Sequence, residues 1–396
     1  MTRGLPVLIG TLLAAAWSTT AAAQSLRIGE AIRIEPKARV DVDFRAAEVD
    51  DGDVDVDLAR RRVGVSGRVT RHLEFEVERE VDGTGRWRDV FADVRATRAI
   101  GVRAGHFKVP FSREQLTGAG DLDFIDRSRA ADLLAPGRSV GLLVHGRVAR
   151  RIVGYDVGTF VGDGTRSRLP GPESAEPTVA ARVTVRPRGG PRRAGAIGDV
   201  EIGVAAATSE LRDGRASFRG RLTSSDQFFS PVLVSGRRLR VGGDLDWRPG
   251  PFGVRGEFLR ADDARQHQGL MGETLAPLRA QGWYVSGVWA VAGRSAHARA
   301  NDGFAVQGLA GLELAARVEQ FSLGTPGAPA AQIWTPRAER LSTVTDRAWT
   351  LGVNWTLNRL VRIQANAVRE RVTDRSRIAA PGHAVWSPVA RVQVAM

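Results

Sequence analysis

The chain has 396 residues, with 57 lysines and arginines against 44 aspartates and glutamates, a formal net charge of +13 and no cysteine. A chain of this length buries a sizeable core without disulfides, so their absence fits even an oxidising compartment. All but two of the basic residues are arginine, scattered rather than clustered, which argues against a nucleic-acid partner.

The first 23 residues read as a secretory signal peptide. Arg3 opens the segment, an apolar run extends from Leu5 to Trp17, and Ala21-Ala22-Ala23 supplies the small residues of a cleavage site. The run is too short for a transmembrane anchor, and further on charges recur too often for a spanning helix. Residues 24–396 read as one domain, because no linker-like shift in composition divides them. Period-two alternation appears in VGVSGRVT (Val63–Thr70), HLEFEVERE (His72–Glu80) and IGVRAGHF (Ile100–Phe107). It resumes in SVGLLVHGRV (Ser139–Val148), TVAARVTVR (Thr178–Arg186), RLRVGGDLDW (Arg238–Trp247) and GWYVSGVWAVAG (Gly282–Gly293). The last examples are AWTLGVNWTLN (Ala348–Asn358), LVRIQANAV (Leu360–Val368) and VARVQVAM (Val389–Met396). Such runs predict strands rather than helices.

Tight turns such as Arg248-Pro249-Gly250-Pro251 alternate with long ones such as Asp163–Pro177. With roughly sixteen candidate strands, this predicts an all-β fold, a transmembrane antiparallel β-barrel with short turns at one end and long loops at the other. A soluble sandwich would also alternate. Two features favour the barrel. Trp283 and Trp289, like Trp349 and Trp355, lie on apolar faces near opposite strand ends, as aromatic girdles require. Small residues such as Gly243, Gly287, Ala365 and Ala367 dilute those faces, which lipid tolerates and a packed core does not. Parity then sends Arg60, Arg62, Arg68, Arg103, Arg147, Arg182, Arg186, Arg238, Arg240, Arg255, Arg317, Arg362 and Arg391 inward, toward a water-filled lumen. Glu74, Glu76, Glu78, Asp93, Asp244, Asp246, Glu257, Glu313 and Glu319 join them.

The alternation halts for about thirty residues after Phe107, an unusual length for a loop without function. A barrel of this size is too wide for its own side chains to fill, and segment 108–138 is the candidate for an inward-folded constriction loop. Its Leu116, Leu122, Phe124, Ile125, Leu133 and Leu134 would hold it against the wall.

The run Gly105-Phe107-Lys108-Pro110-Phe111-Ser112, the step Asp126-Arg127, the run Pro136-Arg138-Gly141 and the upstream RRRVGVSG (Arg60–Gly67) together resemble the signatures of the phosphate-selective porin O and P family. The resemblance covers about residues 55–150. It implies a trimeric sixteen-stranded barrel in the outer membrane of a Gram-negative-type bacterium, passing phosphate or polyphosphate along an arginine-lined lumen. By motif position it implies Arg60, Arg62, Lys108, Arg127 and Arg138 as ligand-facing. The partners it implies are inorganic phosphate or other small anions, outer-membrane lipid, two further copies of the chain and the barrel-assembly machinery. The sequence departs from that pattern in offering only Lys108 to a lysine cluster, and in carrying Met396 where such barrels usually end on an aromatic residue.

Other readings have less to stand on. The six histidines are scattered without ligand spacing, no Gly-x-Ser-x-Gly elbow occurs, and neither an enzyme nor a cofactor is expected. A general, weakly selective porin is the alternative function, and a barrel enzyme a more distant one. DDGDVDVD (Asp50–Asp57) alternates oxygen ligands but lacks the glycine and closing glutamate of a calcium loop, and reads as a turn between the first strands.

Overall fold

The structure is a computed structural model, and the described residues are 25–29, 31–46, 54–83, 85–164, 177–187, 198–223, 227–292, 311–326, 335–374 and 384–396. The proposed signal peptide and the Asp50–Asp53 part of the acidic turn lie outside them.

A short strand, β1 (Leu26–Ile28), folds back on β2 (Ile32–Ala46). From β2 each strand pairs antiparallel with its successor: β3 (Val54–Val69), β4 (Leu73–Glu80), β5 (Trp87–Arg95), β6 (Gly101–Lys108), β7 (Arg138–Val148), β8 (Val153–Phe160), β9 (Thr178–Val185) and β10 (Asp199–Ala216). A small hairpin, β11 (Gly220–Arg221) and β12 (Gln227–Phe229), stands outside this ladder. The ladder continues from β10 through β13 (Leu233–Arg248), β14 (Phe252–Arg265), β15 (Leu275–Ala292), β16 (Gly311–Gly324), β17 (Val344–Thr356), β18 (Val361–Asp374) and β19 (Ala384–Ala395). β19 then pairs with β2, from Val389↔Arg45 to Ala395↔Arg39, and the sheet closes into a sixteen-stranded barrel. Met396 keeps the seam without an aromatic side chain: its N–H donates to the Ala38 carbonyl at 3.0 Å.

Closure removes every sheet edge, the condition a strand must meet to survive in hydrocarbon. At one end the connections 70–72, 96–100, 149–152, 249–251 and 357–360 are tight; at the other, 109–137 is the longest. The polarity of the wall is that of a soluble protein turned inside out. Leu351 is 65% exposed on the outer face, while Arg238 and Arg240 on the inner face are completely buried. Trp247, Trp289 and Trp355 stand on the outer face near the tight-turn end, and Phe252 stacks on Trp289 with ring centroids 6.2 Å apart. An apolar exterior of this extent has lipid as its solvent.

The buried apolar core lies inside the barrel. Phe111, Ala130, Ala131 and Leu134 of segment 109–137 pack with Leu259, Ala261, Ala280 and Phe321 of the wall, and Phe218, Phe229 and Leu341 from two other long connections join them. The water-filled lumen expected along the whole inner wall is therefore confined to one side. On the β10–β19 side, most charged residues placed inward by parity are buried and held by an opposite charge or by the loop.

Candidate constriction site

The constriction segment begins where the ladder must stop. Lys108 and Arg138 are the last cross-strand pair of β6 and β7, and the Val109 N–H to Gly137 carbonyl bond closes the base at 3.0 Å. Pro110 has no N–H to extend it. Gly105, in the motif before it, sits at φ +132°, and a Cβ there would run into the Val90 carbonyl of β5. Only glycine fits that position.

Two short helices shape the segment: α1 (Arg113–Leu116) and α2 (Arg129–Leu134). Each starts on a serine that caps a backbone N–H, Ser112 toward Gln115 and Ser128 toward Ala131. The same hydroxyls reach outward: Ser112 Oγ donates to Glu257 Oε2 at 3.0 Å, and Ser128 Oγ to Glu114 Oε2 at 2.6 Å. Glu114 lies above the ordinary carboxylate range, because burial outweighs the pull of Arg317 and the Ser128 hydroxyl. For Asp126 burial also pushes up, but the Arg45 guanidinium more than compensates and holds it at about 2. The two Arg45–Asp126 hydrogen bonds are both 2.9 Å.

Wall arginines satisfy the loop's carbonyls. Arg182 donates to Phe111 O at 2.7 Å, Arg362 to Gly120 O at 2.8 Å, Arg391 to Ile125 O at 3.1 Å and Arg317 to Asp126 O at 3.0 Å. Irregular backbone within a barrel needs such partners, since a buried carbonyl without one is costly. Ion pairs complete the clamp: Arg113 with Glu201 and Asp246, Arg129 with Glu370 and Asp346, Arg255 with Asp123. Arg317 also lies over the Phe124 ring, 4.6 Å from its centroid.

The loop thus occupies the β10–β19 half of the lumen and leaves a cavity of about 760 Å³ against β2–β6. Arg60, Arg62, Lys108, Arg127 and Arg138 all line that cavity. Their partners differ. Arg60 reaches Asp41 at 2.8 Å, Arg62 reaches Glu80 at 2.8 Å, and Arg138 holds Asp89 at 2.5 Å. Lys108 Nζ donates to the carbonyls of Leu116 and Thr117, both at 3.0 Å. Arg127 donates to the carbonyls of Glu114 and Thr117 at 3.1 and 3.0 Å. Carbonyls satisfy the Arg127 donors without cancelling its charge. In all, eleven basic and six acidic side chains face the cavity.

Sequence reasoning missed Arg33, Lys37 and Arg39, which β2 contributes to the same wall. The signal was present: every odd position from Arg33 to Arg45 is charged. Leu116, expected to anchor the loop, instead faces the cavity, while Leu122, Phe124, Ile125, Leu133 and Leu134 are buried as anticipated.

A closed sixteen-stranded barrel with an apolar exterior, a loop folded into its bore and a charged cavity beside that loop is the architecture of an outer-membrane porin. More narrowly, the family described as phosphate-selective porin O and P matches residues 33–395, and the chain belongs to it. Solved structures agree on the fold. OmpT of Vibrio cholerae, as expressed in the outer membrane, aligns with a TM-score of 0.59 at 10% identity, over 94% of this chain and 100% of its own. An anion-selective porin from Comamonas acidovorans gives 0.56 at 12% identity, over 92% and 100%. The outer-membrane channel DcaP of Acinetobacter baumannii gives 0.56 at 10% identity, over 94% and 99%. No curated protein matches the chain in sequence. Membership of the family points to a channel rather than an enzyme, located in the outer membrane.

Proposed function

We propose that this porin passes small anions by diffusion, with phosphate among them, and that Arg60, Arg62, Lys108, Arg127 and Arg138 are the residues an anion meets. The observation that carries the reading is the eleven cations that line the cavity against six carboxylates, with Asp41, Glu80 and Asp93 behind them holding Arg60, Arg62 and Arg103 in place. An anion entering there exchanges hydration for charge-assisted hydrogen bonds at successive, moderate sites, and several moderate sites let it leave again. The family description and the anion selectivity of the Comamonas relative support this reading. Residues 1–23 act in it as the export signal, residues 24–396 as the barrel, and lipid and the assembly machinery as partners of the wall. Three copies assemble in this reading, which the trimer form of Vibrio OmpT supports.

A general porin is the second reading, favoured by Glu35, Glu74, Glu76 and Glu78 in the same wall. Planar-bilayer recording separates the two. With reconstituted protein in chloride, millimolar phosphate is expected to reduce the current and the reversal potential in a salt gradient to report anion preference. An unchanged current with a reversal potential near zero selects the general porin.

A further inference from the structure

The outer face of β17 and β18 breaks a rule of sheet design. Arg347 and Arg371 are direct cross-strand partners, and both are exposed on the outside of the barrel. Like charges so placed repel one another and destabilise the pair. Arg369, also exposed, lies one pleat below, opposite Trp349 on one side and Trp386 on the other. Among the described residues these arginines meet no carboxylate: Arg347 Nε donates to Gln320 Oε1 at 2.8 Å, and Arg369 lies 5.7 Å from the Trp386 ring centroid. Elsewhere on this exterior the same problem is solved within the protein. Arg260 and Arg279 share Asp262, at 2.7 Å each.

The height of the three arginines decides what can neutralise them. Trp349 and Trp355 stand six residues apart on the outward face of β17, about 20 Å along the strand, with Leu351 and Val353 between them. Trp355 is near the tight-turn end, so Trp349 and Trp386 mark the opposite edge of the apolar band. Arg369 stands level with those tryptophans, and Arg347 and Arg371 one step beyond, where a bilayer carries its head groups. Below them the outward side chains are Leu351, Ala367 and Pro388, a smooth apolar strip fit for an acyl chain.

We propose that Arg347, Arg369 and Arg371, between Trp349 and Trp386, form a binding site for the phosphate of an anionic lipid in the leaflet at the long-loop end of the barrel. Guanidinium groups suit a phosphate's bidentate geometry, and a phosphate between them removes the Arg347–Arg371 repulsion. Covering the same surface with a second copy of the chain would bury these cations in an interface, where a charge without a partner is costly. The site lies on the outside of the wall and does not depend on what passes through the bore.

The test uses the full-length mature protein in mixed micelles, with brominated phosphatidic acid or brominated phosphatidylcholine as quencher of tryptophan fluorescence. Phosphatidic acid is expected to quench at lower mole fraction than phosphatidylcholine. That preference should fall about thirtyfold in an R347Q/R371Q double variant, the loss expected from removing two interfacial cations. Heat-modifiable mobility on gels confirms that the variant is folded, and Arg369→Gln alone supplies a milder second case. Equal quenching by both lipids in the natural protein overturns the proposal, as does a preference that survives in both variants. Displacement of the lipid by millimolar inorganic phosphate would show a general anion site and overturn it too. Dissociation of an oligomer in the variant, with lipid preference unchanged, would assign the arginines to a protein interface instead.

Discussion

Five cations around the passage are not equivalent, because they differ in what already holds their charge. Arg138 is matched to Asp89 and Arg60 to an Asp41 that Arg39 also grips through both oxygens, whereas Arg127 spends its hydrogen bonds on carbonyls. Replacing Arg127 by glutamine should therefore lower anion preference directly, seen as a reversal potential moved toward zero in a salt gradient, with folding intact. Arg113→Gln removes a cation of the same loop, but one held by Glu201 and Asp246 on the far wall. It should alter loop mobility before it alters selectivity. Equal selectivity shifts in the two variants would mean that the loop's net charge matters and the position of each arginine does not. Gly105 shows how a short motif can encode a backbone constraint: the contact that excludes a Cβ there comes from the neighbouring strand's own backbone.

Strands were legible where both faces carried a signal. The alternation of β13, β17 and β19 combines arginine, aspartate or asparagine inside with tryptophan, leucine or valine outside, and a period of two needs nothing more. β2 was missed although its alternation is complete, with Ile32, Ile34, Val40, Val42 and Phe44 opposite the charged positions; Pro36 at its centre disguises it, because a proline there argues against a strand. The constriction segment was legible as an interruption and as a set of anchoring hydrophobes. Its side was not, because the ion pairs that choose the β10–β19 wall join residues far apart in sequence, such as Arg129 and Glu370. Those pairs carry a prediction. Arg129 is mostly buried and faces Glu370 and Asp346, both of them almost fully buried, while its backbone N–H donates to Glu319 at 2.8 Å. Removing one member of a buried pair costs about 3–5 kcal/mol, because the other charge is stranded. Arg129→Met should thus undock α2, widen the passage and raise single-channel conductance with added noise. An R129M/E370L double variant, which removes one of the two stranded carboxylates, should restore part of the quiet, smaller conductance. Identical traces for the natural protein and Arg129→Met would show that the apolar contacts of Ala130, Ala131 and Leu134 hold the loop alone.

For the whole molecule, the division of the bore into a clamped half and an open half fixes how it should respond to acid. The clamp includes carboxylates displaced in opposite directions. Asp126 is held at about 2 by Arg45, below its ordinary value, so the stability it lends the docked loop is complete above that ordinary value and lost as pH falls through about 2. Glu114 is displaced upward by burial, so its ionisation opposes docking, and docking weakens as pH rises from the ordinary carboxylate value to its own higher one. Both effects favour the docked loop in the mildly acidic range, and both leave the Arg45–Asp126 pair charged there. The channel is therefore expected to keep a narrow, quiet conductance from neutrality down to about pH 4 and to open only as pH approaches 2. Bilayer recordings with the pH changed on the long-loop side would check this directly. Opening near pH 5 would mean that a different carboxylate governs the loop, and would also remove Asp126 from the clamp. Arg45→Gln supplies the control. Without the guanidinium, Asp126 loses the partner that outweighs its burial, so its ionisation opposes docking as that of Glu114 does: the variant's conductance at neutrality should rise and should fall again in mild acid, where the carboxyl protonates.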